Sequence, residues 1–416
     1  MKQVKTNSKS PLLLIWLCWL VYATSYIGKV NYAANINPII DRYGITHAEA
    51  GLVSTLFFFA YGIGQVFNGL FSKRYNIKWV VFGCLMLSGL INLSVPFLPS
   101  FSFTKYLWAI NGFSLSVLWP ILIRLLSEAL PAKHTEMATA VMGTTIAVGS
   151  FFVYGISALF SLFTSFEAVF YTSAAVLITV GLIWIVFLPR ILNECNAEEE
   201  KQHSTEQKIS VSHKNNIRHL IPILSLLAIF GIISNLIKDG LITWVPSILK
   251  EGYGLDDSLS IILTLALPLI SIFGNRLALV VHRKITDYIY HCAVIFTASA
   301  FFIGAVIIGF KANSLLIAIF SFTIVSLLVA SINSLITSIF PLFMKESLNS
   351  GLIAGILNGF CYVGSTISSY GLGSIADSVG WNAVFITLLM AAVIPPMLSI
   401  VFTLIKNGGI NYAKKN

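Results

Sequence analysis

The chain has 416 residues, of which 56% are hydrophobic and only 10% carry a charge, and its formal net charge is +9. Soluble domains carry a charge on roughly one residue in four, so this composition excludes an ordinary water-soluble protein and indicates one embedded in a lipid bilayer. The positive charge does not indicate a nucleic-acid partner, because no amphipathic segment carries it.

Twelve apolar stretches are long enough to cross a bilayer as helices, each of which needs about 20 residues. Lysines precede the first stretch, but no small-residue cleavage site follows it, so we interpret it as an uncleaved span rather than a signal peptide. The sequence therefore predicts an all-α integral membrane protein. The predicted spans cover residues 11–40, 48–71, 79–98, 104–130, 136–163, 166–189, 219–249, 258–281, 289–310, 313–343, 350–375 and 379–406.

One extended polar stretch separates the sixth predicted span from the seventh. It contains three consecutive glutamates and shows no apolar periodicity, which is typical of a linker. We therefore predict an N-terminal six-helix bundle over residues 1–189, a cytoplasmic linker over 190–218 and a C-terminal six-helix bundle over 219–416.

Lysine and arginine residues are distributed unequally between the two sides of these spans. With the N-terminus placed inside, 18 of them fall in cytoplasmic segments and 4 in external segments. Because positively charged loops stay in the cytoplasm, this bias predicts that both termini are cytoplasmic. We expect a multi-pass protein of the cell (cytoplasmic) membrane.

The two predicted bundles resemble each other in sequence. Lys29 in span one is followed by Pro38, and Lys238 in span seven is followed by Pro246 at a similar distance. A second similarity joins the glycine-rich, basic-ended spans two and eight. Many transporters consist of such repeats, with the substrate site midway through the bilayer between them. The pattern predicts two pseudo-symmetric halves.

Four basic residues lie inside predicted spans, where a charge is costly unless it faces a cavity, pairs with an acid or reaches the surface. Lys29 and Lys238 each fall about 16 Å of helix from an outer span end, near the bilayer midplane. They could face each other and bind an anionic substrate together. The alternatives are a local ion pair of Lys238 with Asp239 and, for Lys29, hydrogen bonds to helix polar groups.

The other two buried cations, Arg124 and Arg276, lie closer to predicted span ends. Glu128 is one helical turn from Arg124, which favours a structural salt bridge or a side chain that extends to the surface over substrate binding. For Arg276 the sequence leaves open whether it lines a cavity or has a structural role.

Aromatic residues accompany the first buried lysine. Tyr22, Tyr26 and Lys29 recur at spacings of four and three, so they share one helix face. Phenol hydroxyls beside a cation suit an anion with several oxygens, because each donates a directional hydrogen bond. The alternative is ordinary packing or an aromatic belt at the membrane surface. Further candidates are Tyr61 and Gln65 in span two and Tyr362 in span eleven.

The sequence carries no signature of an enzyme or of a metal site. It contains no phosphate loop, no nucleophile elbow and no histidine pair at metal-binding spacing. The seven histidines are interpreted as surface residues, and the five cysteines are scattered without a disulfide or metal pattern. We expect no catalytic residue, no metal and no cofactor.

Five of the spans carry short motifs of polar, aromatic and small residues. These are Tyr22-x3-Tyr26-x2-Lys29-x-Asn31, Tyr61-Gly62-x2-Gln65, Trp119-Pro120-x3-Arg124, Lys238-x-Gly240-Leu241-x2-Trp244-x-Pro246 and Tyr362-x-Gly364. Together they resemble the organophosphate:phosphate antiporters of the major facilitator superfamily, over essentially the whole chain. The resemblance implies the major facilitator fold, with 12 transmembrane helices in two pseudo-symmetric six-helix halves.

The resemblance also implies roles for individual residues. In that family, arginines stand at the positions of Lys29 and Lys238 and clamp the phosphate, with the tyrosines and Trp119 nearby. A lysine keeps the charge but loses the planar, two-pronged geometry of arginine. Gln65 replaces a family lysine, and Ile146 stands where the glycerol-phosphate carrier has a histidine. The expected substrate-binding residues are Lys29, Lys238, Tyr22, Tyr26, Tyr61, Gln65, Trp119 and Tyr362.

What the resemblance implies is a secondary active transporter of a small organic anion. The expected substrate is a sugar or polyol phosphate, exchanged for inorganic phosphate by a monomer through alternating access. Two alternatives stay open. Span two also looks like that of the anion:cation symporters for hexuronates and similar carboxylates, and a transporter-like sensor of sugar phosphates would share the same motifs.

Overall fold

The computed structural model describes residues 10–71, 74–98, 100–163, 165–202, 221–343 and 350–413, and all regular structure within these ranges is helical. The first nine α-helices form what we call the N-terminal set. Its helices are α1 Ser10–Ala34, α2 Ile36–Tyr43, α3 His47–Phe71, α4 Ile77–Ser94, α5 Thr104–Leu115, α6 Leu118–Ala129, α7 Ala132–Met142, α8 Thr145–Phe163 and α9 Phe166–Gln202.

The remaining nine α-helices form the C-terminal set. A π-helical turn, Leu335–Ile339, joins two of them, and short 3₁₀ turns occur earlier in the chain at Val95–Phe97 and Phe101–Phe103. The helices are α10 Ile221–Tyr253, α11 Asp257–Thr264, α12 Ala266–Ser271, α13 Gly274–Lys284, α14 Tyr288–Lys311, α15 Leu315–Ser334, α16 Phe340–Phe343, α17 Ser350–Val379 and α18 Trp381–Ala413.

Many of these helices are long and apolar enough to cross a membrane. In the described part of the chain there are ten such spans, and the pair Asp257–Ser271 and Gly274–Lys284, bent by 41°, makes an eleventh if it forms one span. The predicted span eleven corresponds to α17, a 30-residue helix that is not among these spans. The all-α membrane architecture is confirmed, whereas the count of twelve spans stays a prediction.

Prolines explain where two of the predicted spans are broken into separate helices. α1 ends at Ala34, four residues before Pro38, and α11 ends at Thr264, four residues before Pro268. Proline has no N–H for the carbonyl four residues earlier, and its ring collides with that carbonyl. The helix axis is therefore interrupted at these positions, which leaves backbone oxygens available for other partners.

The sixth span extends beyond its predicted end. α9 continues to Gln202, so the first 13 residues of the stretch predicted as a linker are helical. Glutamate, leucine and lysine are good helix formers, which accounts for a helix that carries no apolar face. Residues 203–218 lie outside the described part of the chain, and the division into two bundles stays a prediction.

The two sets meet most extensively along α3 and α17, which run side by side. Glycines permit this close approach. A Cβ atom on Gly51 of α3 would overlap the carbonyl of Ser369 on α17, and one on Gly364 of α17 would overlap the carbonyl of Ile232 on α10. Small residues at helix contacts are typical of membrane proteins. Inside a bilayer the hydrophobic effect does not drive helices together, so van der Waals contact between closely spaced backbones contributes more to their association. α17 is therefore packed between α3 and α10.

Candidate functional site

Lys29 lies on α1 in a partly buried position and is surrounded by aromatic rings. Its Nζ is 3.4 Å from the ring centroid of Tyr26 and 4.9 Å from that of Tyr61 on α3. Both distances are in the range of cation–π attraction. No carboxylate forms an ion pair with Lys29 in the described part of the chain. The ammonium group is thus in contact with aromatic rings and not in a direct ion pair.

The predicted aromatic residues, which come from four helices, form a network of ring contacts that includes the two rings beside this lysine. The rings of Tyr22 and Tyr26 are 5.6 Å apart, and those of Tyr22 and Trp119 are 4.8 Å apart. Tyr362 on α17 reaches Tyr61 across the two sets at 4.8 Å. The Tyr61 hydroxyl is buried beside the polar groups of Tyr22, Gln65 and Tyr362, and none of them forms a hydrogen bond of good geometry with it. Such a hydroxyl can turn to a ligand oxygen and gain a better hydrogen bond.

Gln65 lies one helical turn from Tyr61 and is fixed by a break in span four. Its Nε2 donates to the carbonyl of Ser116 at 3.2 Å. That carbonyl would accept from the residue four positions on in a regular helix, but that residue is Pro120, which has no N–H. The amide of Gln65 therefore supplies the missing donor, and this contact uses one side of the group predicted to bind substrate.

Lys238 on α10 faces a carboxylate. Its Nζ is 3.4 Å from Oδ1 of the neighbouring Asp239, and Oδ2 of Asp239 accepts a hydrogen bond from the hydroxyl of Ser365 on α17. Asn235 donates to the Ser365 oxygen at 3.4 Å and accepts in turn from Asn333 on α15. A buried chain of donors from three helices therefore ends at Asp239. We call these four residues, with Lys238, the Asp239 chain.

The two lysines belong to one region but have different surroundings. Lys29 lies within electrostatic range of both Lys238 and Asp239. The local ion pair weighed for Lys238 is present, whereas Lys29 contacts aromatic rings rather than the helix polar groups weighed for it. Joint anion binding by the two lysines stays a prediction.

The remaining basic candidates, Arg124 and Arg276, have other surroundings. Arg124 Nε is 3.6 Å from Glu128 Oε2, and its Nη2 donates to the carbonyl of Tyr75 at 3.5 Å. These contacts are those expected of a structural arginine. Arg276 is exposed near the start of α13, and Ile146 on α8 is exposed as well.

A cluster of charged residues joins the two sets where α3 begins. The His47 ring contacts Glu251 of α10 through Nε2 at 2.7 Å and Asp377 of α17 through Nδ1 at 2.6 Å. Asp377 also accepts from the backbone N–H of Ala48 at 2.7 Å, so it caps α3 from the opposite set. Trp381 donates to Glu251 at 2.9 Å. We call His47, Glu251 and Asp377 the His47 latch, and this side of the bundle the His47 end.

Further bonds between the sets lie toward the same end. Lys250 of α10 forms an ion pair with Asp41 of α2 across the sets and, within its own set, one of 3.0 Å with Asp257 of α11. The Tyr154 hydroxyl on α8 donates to the carbonyl of Ile242 on α10 at 2.7 Å. The His47 end is therefore closed by hydrogen bonds and ion pairs that span the two sets.

Sequence reasoning missed the partners in both clusters. Asp239 was weighed only as a local partner of Lys238, and His47 was interpreted as a surface residue, although it contacts two carboxylates. The surface assignment is also wrong for His291, which is fully buried on α14 with its ring 5.9 Å from that of His282. Charged residues at three separate span ends were the available signal for the latch.

Comparisons with known proteins agree with this architecture. The family model described as Major Facilitator Superfamily matches residues 18–350. The membrane sensor protein UhpC of Escherichia coli is 21% identical over 404 residues, covering 92% of this chain and 90% of the relative. The glycerol-3-phosphate transporter of Bacillus subtilis is 22% identical over 411 residues, covering 92% and 88%. Sugar phosphate exchanger 3 of Bos taurus is 22% identical, covering 80% and 76%.

Solved structures show the same fold. A bacterial homologue of the human lysosomal transporter Spinster superposes with a TM-score of 0.71 at 14% identity, covering 96% of this chain and 95% of the other. The xylose transporter XylE of E. coli superposes with a TM-score of 0.72 at 10% identity, covering 95% and 98%. The fold predicted from the motifs is confirmed, as is the resemblance to the organophosphate transporters.

Proposed function

This chain belongs to the Major Facilitator Superfamily, and from that premise we propose that it carries a sugar or polyol phosphate across the membrane in exchange for inorganic phosphate. The observation that carries the proposal is Lys29, a partly buried ammonium that contacts aromatic rings and forms no ion pair with any carboxylate that the structure describes. Relatives named as a glycerol-3-phosphate transporter and a sugar phosphate exchanger support the choice of substrate.

The surroundings of Lys29 suit a phosphate group chemically. A lysine ammonium has three donors and a compact charge, so it can contact a tetrahedral anion from several directions. The buried hydroxyl of Tyr61, whose ring centroid is 4.9 Å from Lys29 Nζ, is a further donor. Lys238 on the other set supplies the second cation once the anion draws it from Asp239. An anion held by both lysines would connect the two sets.

Transport then requires the two sets to rock about this site, as in other carriers built from repeats. The His47 latch closes one end in this structure, so it has to open during the cycle. We propose, from the predicted orientation, that the His47 end faces the exterior and that the protein is a monomer in the cell membrane with cytoplasmic termini.

Flux measurements in proteoliposomes test the proposal. Vesicles loaded with phosphate should take up labelled glycerol-3-phosphate or hexose-6-phosphate several times faster than unloaded vesicles. Uptake that ignores internal phosphate but is lost when the proton gradient collapses would support a carboxylate or proton-coupled symporter instead.

A second candidate function has a specific observation in its favour. A relative that aligns with 92% of this chain is named a membrane sensor protein. A sensor of sugar phosphates would bind its ligand at the same central site without carrying it across. Saturable ligand binding with no flux in the same vesicle preparation would decide for this alternative.

A further inference from the structure

A carboxylate lies in a region that is otherwise suited to an anion. Asp239 directly follows Lys238 and is buried, with 11% of its side chain exposed. It lies beside the ammonium of Lys238 and within electrostatic range of Lys29. A buried carboxylate at such a place is costly unless other groups satisfy it, so its partners decide what it does.

Those partners hold the carboxylate in place. The donors of the Asp239 chain all point toward it, from Asn333 through Asn235 and Ser365, and Ser365 and Asn235 are almost fully buried. Hydrogen bonds offset part of the cost of burying a carboxylate. Asp239 is therefore a carboxylate fixed in position on α10, in the C-terminal set.

The contact with Lys238 is looser than the contact with Ser365. A hydrogen bond between an ammonium and a carboxylate is usually about 2.7–2.9 Å long. The separation of 3.4 Å between Lys238 and Asp239 exceeds that range, and 27% of the lysine side chain is exposed. Lys238 can thus turn toward an entering anion while Asp239 stays bound to Ser365.

We propose that Asp239 is a resident counter-anion of Lys238, which an entering phosphate replaces. This inference rests on the proposed function. In the empty site Asp239 leaves one net positive charge instead of two, so the sets can reorient without cargo at a lower cost. With substrate present, Asp239 competes for Lys238 and weakens binding. Asp239 acts through Lys238 as a positioning residue that sets how far transport depends on internal phosphate.

Replacing the carboxylate by its neutral analogue tests the proposal. Asp239→Asn should bind inorganic phosphate at least about tenfold more tightly, a change of about 1.4 kcal/mol that one neighbouring charge readily supplies. The ratio of substrate uptake by unloaded vesicles to uptake by phosphate-loaded vesicles should be lower for this variant than for the wild type. Asp287→Asn is the matched control, because it makes the same chemical change at the N-cap of α14, where asparagine caps equally well.

A second variant keeps the test decisive if Asp239→Asn does not fold. Ser365→Ala keeps the charge of Asp239 but removes its hydroxyl donor, so the carboxylate turns wholly to Lys238 and phosphate binding should weaken about threefold or more. The two variants change affinity in opposite directions. A purely structural carboxylate would make both variants bind phosphate less well, and Ser365→Ala would then weaken binding in a Lys238→Gln background too, whereas the proposal expects no further loss there.

The role of Lys238 is checked by combining variants. In a Lys238→Gln background, Asp239→Asn should no longer tighten phosphate binding, because the ammonium for which phosphate and Asp239 compete is absent. The inference is overturned, and the proposed function stands, if the wild type carries phosphate but Asp239→Asn binds phosphate no more tightly than the wild type. If Asp239→Asn does not fold, unchanged phosphate binding in Ser365→Ala has the same meaning. A wild-type protein that neither binds nor carries phosphate overturns both.

Discussion

Replacing Asp377 by asparagine should weaken the closure of the bundle at the His47 end. The carboxylate accepts backbone hydrogen bonds at the start of α3 from His47 at 3.0 Å and Ala48 at 2.7 Å, and it contacts the His47 ring. Asparagine keeps one acceptor oxygen, but its NH₂ group replaces the other oxygen and then faces one of the two backbone N–H donors, with which it cannot form a hydrogen bond. One hydrogen bond and the negative charge are therefore lost.

The size of this effect follows from the contacts that are removed. A hydrogen bond to a charged group contributes about 1.5–3 kcal/mol, and a carboxylate at a helix N-terminus adds about 0.3–1 kcal/mol. The side chains of His47 and Asp377 are only 15% and 25% exposed, so solvent screens the contact in part. The closed form should lose about 2–4 kcal/mol, which shifts the closed-to-open ratio by roughly 30- to 800-fold.

Distances between spin labels measure this shift. Cysteines introduced at Arg42 and Val379, both exposed, carry labels on the N-terminal and C-terminal sets. Asp377→Asn should populate a longer distance than the wild type. Asp256→Asn, at the N-cap of α11 inside one set, is the matched control and should not. An unchanged distance distribution in Asp377→Asn would refute the reasoning.

Three other predictions concern the central site and the orientation. Lys29→Gln and Lys238→Gln should each lose about 2–5 kcal/mol of substrate affinity, measured by binding in detergent, while Lys→Arg at either position should be much milder because it keeps the charge. Arg124→Gln should lower expression or turnover rather than affinity, because its contacts are with Glu128 and a backbone carbonyl; a large loss of affinity would place it in the site. Cysteines replacing Glu200 and Leu255 should react from the inside and the outside respectively, and labelling from the same side would contradict the twelve-span orientation.

The part of the site on α1 could be predicted because it depends on one helix. Tyr22, Tyr26 and Lys29 share a face by helical spacing alone, and the structure gathers them with Trp119 and Tyr61. Span positions were predictable for the same reason, since hydropathy is a local property. The breaks before Pro38 and Pro268 were open to prediction as well, although the runs were treated as continuous.

The rest depends on how helices are placed against one another. Asp239 receives its donor from Ser365, 126 residues later, and Asn235 receives one from Asn333, 98 residues later. The latch joins residues 204 and 330 positions apart. No periodicity encodes the register of two helices, so these contacts require the tertiary structure.

The sequence similarity of the two bundles predicted equivalent lysines, and the difference between them has a mechanistic consequence. Lys29 has aromatic neighbours that cannot neutralise it, whereas Lys238 has Asp239. An anion therefore gains more from Lys29 at first contact, and it reaches Lys238 only by replacing a resident charge. A ligand shifts a conformational equilibrium only by its differential affinity for the two states. If the contact of the anion with Lys238 forms as the sets rearrange, its free energy can offset the cost of opening the His47 latch. The contact with Lys29 alone, present before and after the rearrangement, cannot.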